Sequence, residues 1–348
     1  MSTPVRVALD AMGGDNAPGE TVLGAVQAAR EYEIGVYLVG REDLIRAELA
    51  KHDTKGLDLP ILHTDEVIEM DEHPANAVRQ KKKASMTLAL QLVRDGQALG
   101  AVSAGNSGAM MAASLFTLKR IAGVERPALG GILPTKDSVC MVIDMGVNTD
   151  CKPEYLEQFA LMGSIYMERI LNLKSPRVGL LSNGEEESKG NQQVQEAHQL
   201  LKVSAPTLGL NFIGNVEGRD IFSGSVDVVV CDGFVGNVVL KLSEGLSETL
   251  LGLIRAEMTR TLPNKLAAAV LRPGLRKVGR RLDYAEYGGL PLLGVNGSAI
   301  ISHGRSKAKA IKNALRVARQ TAETGVAAAI ADSLAKLQTG GEKKQAEV

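Results

Sequence analysis

The sequence has no tryptophan and only 3% aromatic residues, so it offers little material for the stacking platforms on which single-stranded nucleic acids are read. Nor does it carry a net charge: 40 basic side chains face 40 acidic ones. A global attraction to nucleic acid is therefore not implied, and only local patches would recruit a charged partner. Cysteine is scarce too. Cys140, Cys151 and Cys231 are odd in number and never spaced Cys-x-x-Cys, which suggests neither a disulfide framework nor a thiolate metal site. They read as small buried hydrophobes of a reducing compartment. Residues 1–9 lack a basic start followed by a long apolar region, and no apolar run approaches the roughly 20 residues of a membrane span. A cytoplasmic protein is expected, with peripheral membrane association as the alternative.

Several catalytic signatures are also missing. Without Gly-x-Gly-x-x-Gly a dinucleotide site loses ground, and without Gly-x4-Gly-Lys-Ser/Thr so does a P-loop nucleotidase. The absence of Gly-x-Ser-x-Gly and His-Glu-x-x-His weakens serine-hydrolase and zinc-protease readings.

What is present is an alternation. Short apolar runs at 5–9, 34–40, 101–105, 138–144, 177–182 and 226–232 read as strands covered on both faces. Helical patterns at 19–31, 106–120, 153–171 and 188–202 lie between them. This predicts an α/β fold with a doubly wound, mostly parallel sheet, built as one domain over 1–336, with a solvated tail at 337–348. One segment breaks the rhythm. Residues 246–281 read as two helical stretches interrupted at Pro263 and Pro273, a protruding pair. From Arg255 to Arg281 it has eight basic residues against the single acid Glu257.

Ligands of open α/β sheets bind beyond the carboxyl ends of strands, and the residues there form a series. Asp10 leads into Gly13, Gly14 and Asp15; Ser103 into Gly105, Asn106, Ser107 and Gly108; Asp144 into Asn148. Ser182 leads into Glu186 and Lys189, and Asp232 into Gly236, Asn237 and Lys241. A further Gly-rich turn holds His303, Gly304, Arg305 and Ser306. Each turn alone is ordinary strand-exit chemistry. Taken together on one rim, backbone donors, amides and two lysines suit phosphate. His52, His63, His73 and His198 read as structural or surface residues.

The stretches "ALDAMGGDNAPG", "VSAGNSGAMM", "RPALGGILPT", "NGEEESKG", "VCDGFVGNVVLK" and "GVNGSAIISHGRS" together resemble the phosphate acyltransferases of bacterial phospholipid synthesis, in order from about residue 5 to about residue 320. The sequence departs at Ser182, where the family's asparagine stands one place later as Asn183. The resemblance implies a homodimeric α/β/α enzyme related in fold to phosphotransacetylases and the isocitrate/isopropylmalate dehydrogenase group. It implies transfer of an acyl group from acyl carrier protein to inorganic phosphate. The acyl phosphate then passes to a glycerol-3-phosphate acyltransferase.

Such chemistry needs no enzymic nucleophile, metal or cofactor, because phosphate itself attacks the thioester. The protein positions the anion and stabilises charge on the carbonyl oxygen. The expected arrangement has the Gly105–Gly108 and Gly13–Asp15 turns cradling phosphate, with Lys189 as the fixed cation. Asn237 faces the carbonyl oxygen, Lys241 adds positive potential, and His303 transfers a proton. Arg272, Arg276, Lys277, Arg280 and Arg281 would dock the acidic carrier protein or an anionic membrane, unless the helical pair is only a subunit interface. Rival readings are a phosphotransacetylase using acyl-CoA, a dehydrogenase of the isocitrate type, and a noncatalytic scaffold for lipid enzymes.

Overall fold

Strands form where β-branched and small apolar residues run together for too few positions to make a helix. In the computed structural model, which describes residues 5–335, these are β1 (Arg6–Asp10), β2 (Gly35–Gly40), β3 (Ile61–His63), β4 (Gly100–Ser103), β5 (Ala128–Pro134), β6 (Val139–Ile143), β7 (Arg177–Leu181), β8 (Asn211–Val216), β9 (Val228–Val230), β10 (Leu290–Leu293) and β11 (Ser298–Ile301). The helices are α1 (Gly19–Tyr32), α2 (Glu42–Leu49), α3 (Pro74–Gln80), α4 (Ser85–Arg94), α5 (Ser107–Thr117), α6 (Pro153–Leu171), α7 (Gln192–Leu208), α8 (Asp220–Ser223), α9 (Gly233–Thr259), α10 (Leu262–Leu282) and α11 (Ala308–Glu323). The tail expected at 337–348 lies outside the described residues.

All eleven strands join one sheet in the order β3-β2-β1-β4-β11-β10-β5-β6-β9-β7-β8. As expected, it is mostly parallel and covered on both faces. Helices α1 and α11 pack on one face of the first half, and α3, α4 and α5 on the other. Helices α6 and α7 cover one face of the second half.

The pairing of the middle strands changes how the loops are distributed. β1, β2, β3, β4 and β11 are parallel to one another, and so are β6, β7, β8 and β9. Between these groups come three antiparallel pairings in succession: β11 with β10, β10 with β5, and β5 with β6. An odd number of reversals points the two groups in opposite directions. The strand-exit loops therefore do not share one rim. The turns after Asp10, Ser103 and Ile301 lie at one edge of the sheet; those after Ile143, Leu181 and Val230 lie at the opposite edge.

The helical excursion is present but its breaks differ from those expected. α9 runs unbroken from Gly233, well before residue 246, and the chain turns at Arg260 and Thr261, whose side-chain oxygen caps α10 through Asn264 N–H. Pro263 occupies the first turn of α10, where its missing N–H costs nothing. Pro273 sits inside α10 without ending it. The pair is barely anchored: only Gly233 and Gly236 of α9, and no residue of α10, are buried.

Candidate active site

At the first edge a buried carboxylate ties two loops together. Asp10, only 2% exposed, accepts the Ser103 hydroxyl at 2.7 Å and Met12 N–H at 3.2 Å, with further bonds from Gly13 N–H and Ser85. Ser103 Oγ in turn accepts Gly105 N–H at 3.0 Å. Gly13 packs so closely that a β-carbon there would lie 2.8 Å from Gly105 N. Burial pushes the Asp10 carboxyl up from its ordinary value, against the pull of these donors. Asp10 and Gly105 are thus occupied with each other's loops.

Asn106 is likewise committed. Its Oδ1 caps α5 by accepting Ala109 N–H, and its amide donates to Met70 O and Glu72 O, all at 3.0 Å. The first-turn N–H groups of Ser107 and Gly108 are those the helix itself cannot satisfy. They are the natural donors to an anion, favoured by the helix dipole. Beside them, Gly304 O accepts Asp15 N–H at 2.9 Å, and Gly14, at φ +99°, turns the Asp10 loop toward Gly304. His303 Nδ1 accepts Arg305 N–H at 3.1 Å. A backbone N–H can only donate, so in the neutral ring Nε2 carries the proton.

These groups open on a cleft of about 780 Å³, a size usual for small-molecule sites. Asp15, Ser107, Ser302, His303, Gly304 and Arg305 line it from the first edge. α9 contributes Asn237 and, one turn on, Lys241. Ser302 is 2% exposed and its Oγ has no hydrogen-bond partner among the described residues. A buried hydroxyl of this kind is normally satisfied, and Ser302 belongs to the lining of the cleft.

The second edge mirrors the first. Asp144, fully buried, accepts N–H groups of Leu129 (3.0 Å) and Asn148 (2.7 Å), a weaker one from Val147, and the Asn148 amide at 2.9 Å. Burial raises its pKa as well. Gly236 presses on this turn: a β-carbon there would run into Asp144 O. Asp232 caps α9 by accepting Val235 N–H at 2.9 Å. Asp144, Asn148, Asp232 and Gly236 therefore organise α9 and the β6 exit.

Lys189 and Glu186 stand on the β7–α7 loop, where Lys189 N–H donates to Glu186 O, and Glu186 O also accepts the Asn215 amide. That loop borders a separate depression of about 540 Å³ lined by Ser182, Asn183, Gly190, Asn191 and Asp232. Lys189 is thus placed away from the Gly105–Gly108 turn within the chain; Lys241 is the lysine in the cleft. His198 is buried and hydrogen-bonded to Asn215, a structural residue. Burial pushes the Cys140 and Cys151 thiols up to about 12 and raises Cys231 well above its ordinary value, so none is a ready nucleophile. Arg272, Arg276, Lys277, Arg280 and Arg281 are all exposed on α10. No helix among the described residues is long and apolar enough to cross a membrane.

Sequence reasoning passed over Ser302 and the floor of the cleft, Leu129, Gly131, Leu133, Met145 and Leu290. Ser302 had one signal, a serine directly after an apolar run. Leu129, Gly131 and Leu133 had only the family stretch "RPALGGILPT", because their strand does not look like one.

Comparison with known proteins agrees with this architecture. A family described as "Fatty acid synthesis protein" matches residues 5–329. A phosphate acyltransferase of Pelotomaculum thermopropionicum is 51% identical over 337 residues, 97% of each chain. One of Syntrophotalea carbinolica is 53% identical over 92% of this chain and 91% of its own. Among solved structures, a phosphotransacetylase from Streptococcus pyogenes superposes with a TM-score of 0.65 at 16% identity, covering 93% of this chain and 95% of the other. A 4-hydroxythreonine-4-phosphate dehydrogenase from Klebsiella pneumoniae gives 0.54 at 14% identity, covering 92% and 100%. At such identities the likeness concerns the fold alone.

Proposed function

Because this chain belongs to the phosphate acyltransferase family, we propose that it moves a fatty acyl group from acyl carrier protein to inorganic phosphate, giving acyl phosphate for phosphatidic acid synthesis. The observation that carries this reading is the convergence, in one cleft, of the α5 N-terminus, the unpartnered Ser302 hydroxyl, His303 and Lys241. Ser107 and Gly108 N–H and Ser302 Oγ hold phosphate. Lys241 takes over as fixed cation the part expected of Lys189, while Asn237, one turn earlier on the same helix face, lies against Gly146 at the Met145 end of the cleft, away from the phosphate position.

A phosphate oxygen attacks the carbonyl carbon, the C–S bond breaks, and the proton of hydrogen phosphate ends on the departing sulfur. His303, a donor at Nε2 in the neutral ring, hydrogen-bonds the departing sulfur, which takes its proton from the phosphate oxygen. Incubation with palmitoyl-acyl carrier protein and labelled phosphate should yield labelled acyl phosphate, trapped by hydroxylamine as the hydroxamate in equal amount to free carrier thiol. Persistence of the thioester under these conditions would overturn the reading. A kcat/KM for palmitoyl-CoA equal to that for the carrier-protein thioester would favour the phosphotransacetylase-like alternative.

The excursion fits a homodimer with a basic outer row. Leu246 and Leu253 on α9 and Leu266 and Val270 on α10 are more than half exposed in the single chain, Val270 by 80%, too much apolar surface to leave in water. A second copy would cover it, leaving Arg276, Lys277 and Arg280 for the carrier protein, the membrane surface or a downstream glycerol-3-phosphate acyltransferase. Sedimentation is expected to give a dimer. Reversing the three charges to glutamate should weaken, by at least tenfold at low salt, binding to acyl carrier protein or to phosphatidylglycerol vesicles; no change with either would remove docking from this row.

A further inference from the structure

The cleft has a floor whose character the phosphate chemistry does not explain. Leu129, Gly131 and Leu133 are alternate residues of β5 and share one face of the sheet, continued by Leu290 on β10, Ile301 on β11 and Met145 beyond β6. These strands lie where the sheet reverses direction, between α5 on one side and α9 on the other, and they line the open cavity. The floor contains no charged side chain. Asp15 and Arg305 come from the edge loops and Lys241 and Glu244 from α9 above it.

Glycine at 131 keeps this floor low. A β-carbon there would meet Met145 Sδ and come within 3.0 Å of Leu290 Cδ2, pushing flexible side-chain ends into the cavity. Glycine inside a strand often marks close approach of a ligand. Over the four residue steps from Leu133 to Leu129 the floor extends roughly 13 Å, far more than phosphate or an acetyl group would occupy.

We propose that this floor receives the unbranched hydrocarbon chain of a long-chain acyl thioester. Its carbonyl lies near Ser107 and His303, and the chain runs along β5 toward Leu129 and Met145. The proposal rests on the acyl-transfer reading above and adds where the chain lies and what sets its length: Gly131 below and Leu240, on the α9 side of the cavity, above. Burial of each further methylene should improve kcat/KM by roughly fourfold while floor remains.

The test compares octanoyl- and palmitoyl-acyl carrier protein as donors with wild type, Gly131→Ala and Leu240→Trp, reading the palmitoyl-to-octanoyl ratio of kcat/KM. Wild type should favour palmitoyl, and both substitutions should lower the ratio at least tenfold. If Gly131→Ala does not fold, Leu240→Trp, on a partly buried helix position lining the cleft, still decides. A ratio within twofold of wild type in a variant that makes acyl phosphate overturns the slot and leaves the transfer activity standing. Failure of wild type to make acyl phosphate from either donor overturns the activity and the slot together.

Discussion

Lys241→Ala is expected to lower the rate of acyl phosphate formation by about 10²- to 10³-fold, with the fold unchanged by circular dichroism. The side chain projects from α9 into the cleft shared by Ser107, Ser302 and His303. Its role is to stabilise charge that grows as phosphate oxygen adds to the carbonyl, so its loss should fall mainly on kcat. Removal of one preorganised donor at such a position costs roughly 3–4 kcal/mol of barrier. Lys241→Arg keeps the charge but changes its shape, and should recover only part of the rate. A Lys241→Ala rate within fivefold of wild type would show that the cation is supplied elsewhere. Comparable loss in Lys189→Ala would then bring the β7–α7 loop into the reaction.

The distinction between edges marks the limit of what the sequence discloses. β1, β2, β4, β6, β7 and β9 were legible because residues such as those of "VDVVVCD" are apolar on both faces. The α5, α7 and α9 starts each carry an Asn or Asp cap, at Asn106, Asn191 and Asp232, although Asn191 places the α7 start four residues later than the helical pattern at 188 suggests. The reversing strands were hidden. β10 is four residues long and contains Pro291, which cannot donate to a ladder, while β5 carries Gly130 and Gly131 where a strand would be expected to hold large apolar residues. Unseen, these two strands leave every exit loop on one rim. Seen, they divide the loops between two edges and create the cleft, so the same residues that obscured the topology form the candidate acyl floor. No local residue pattern encodes the relative direction of two half-sheets; it follows from long-range pairing alone.

Asp10→Ala should cost about 3 kcal/mol or more of stability and most of the activity, because one carboxylate holds both loops of the phosphate edge. Its removal strands the donors of Ser103, Met12 and Gly13, at roughly 1–3 kcal/mol for each one left unsatisfied, and releases the Gly105 turn that aims Ser107 and Gly108. Asp10→Asn is the sharper probe. Burial raises the folded pKa of Asp10 above its ordinary 3.8, so the folded state holds the proton more tightly. The stabilisation from this group is complete below that unfolded value and is lost as pH rises through the folded one. Asparagine does not titrate, so in denaturant titrations the stability of wild type relative to Asp10→Asn should fall with rising pH across that window. Asp144 is raised by burial in the same way at the opposite edge and contributes the same sign. Glu157 is raised as well, and Glu72, Asp95, Glu187 and Asp227 are lowered, so the difference in slope between wild type and Asp10→Asn isolates Asp10, and that between wild type and Asp144→Asn isolates Asp144. If Asp10→Asn leaves the slope of wild type intact, the carboxylate is not protonated more readily in the folded chain, and its hydrogen bonds outweigh its burial.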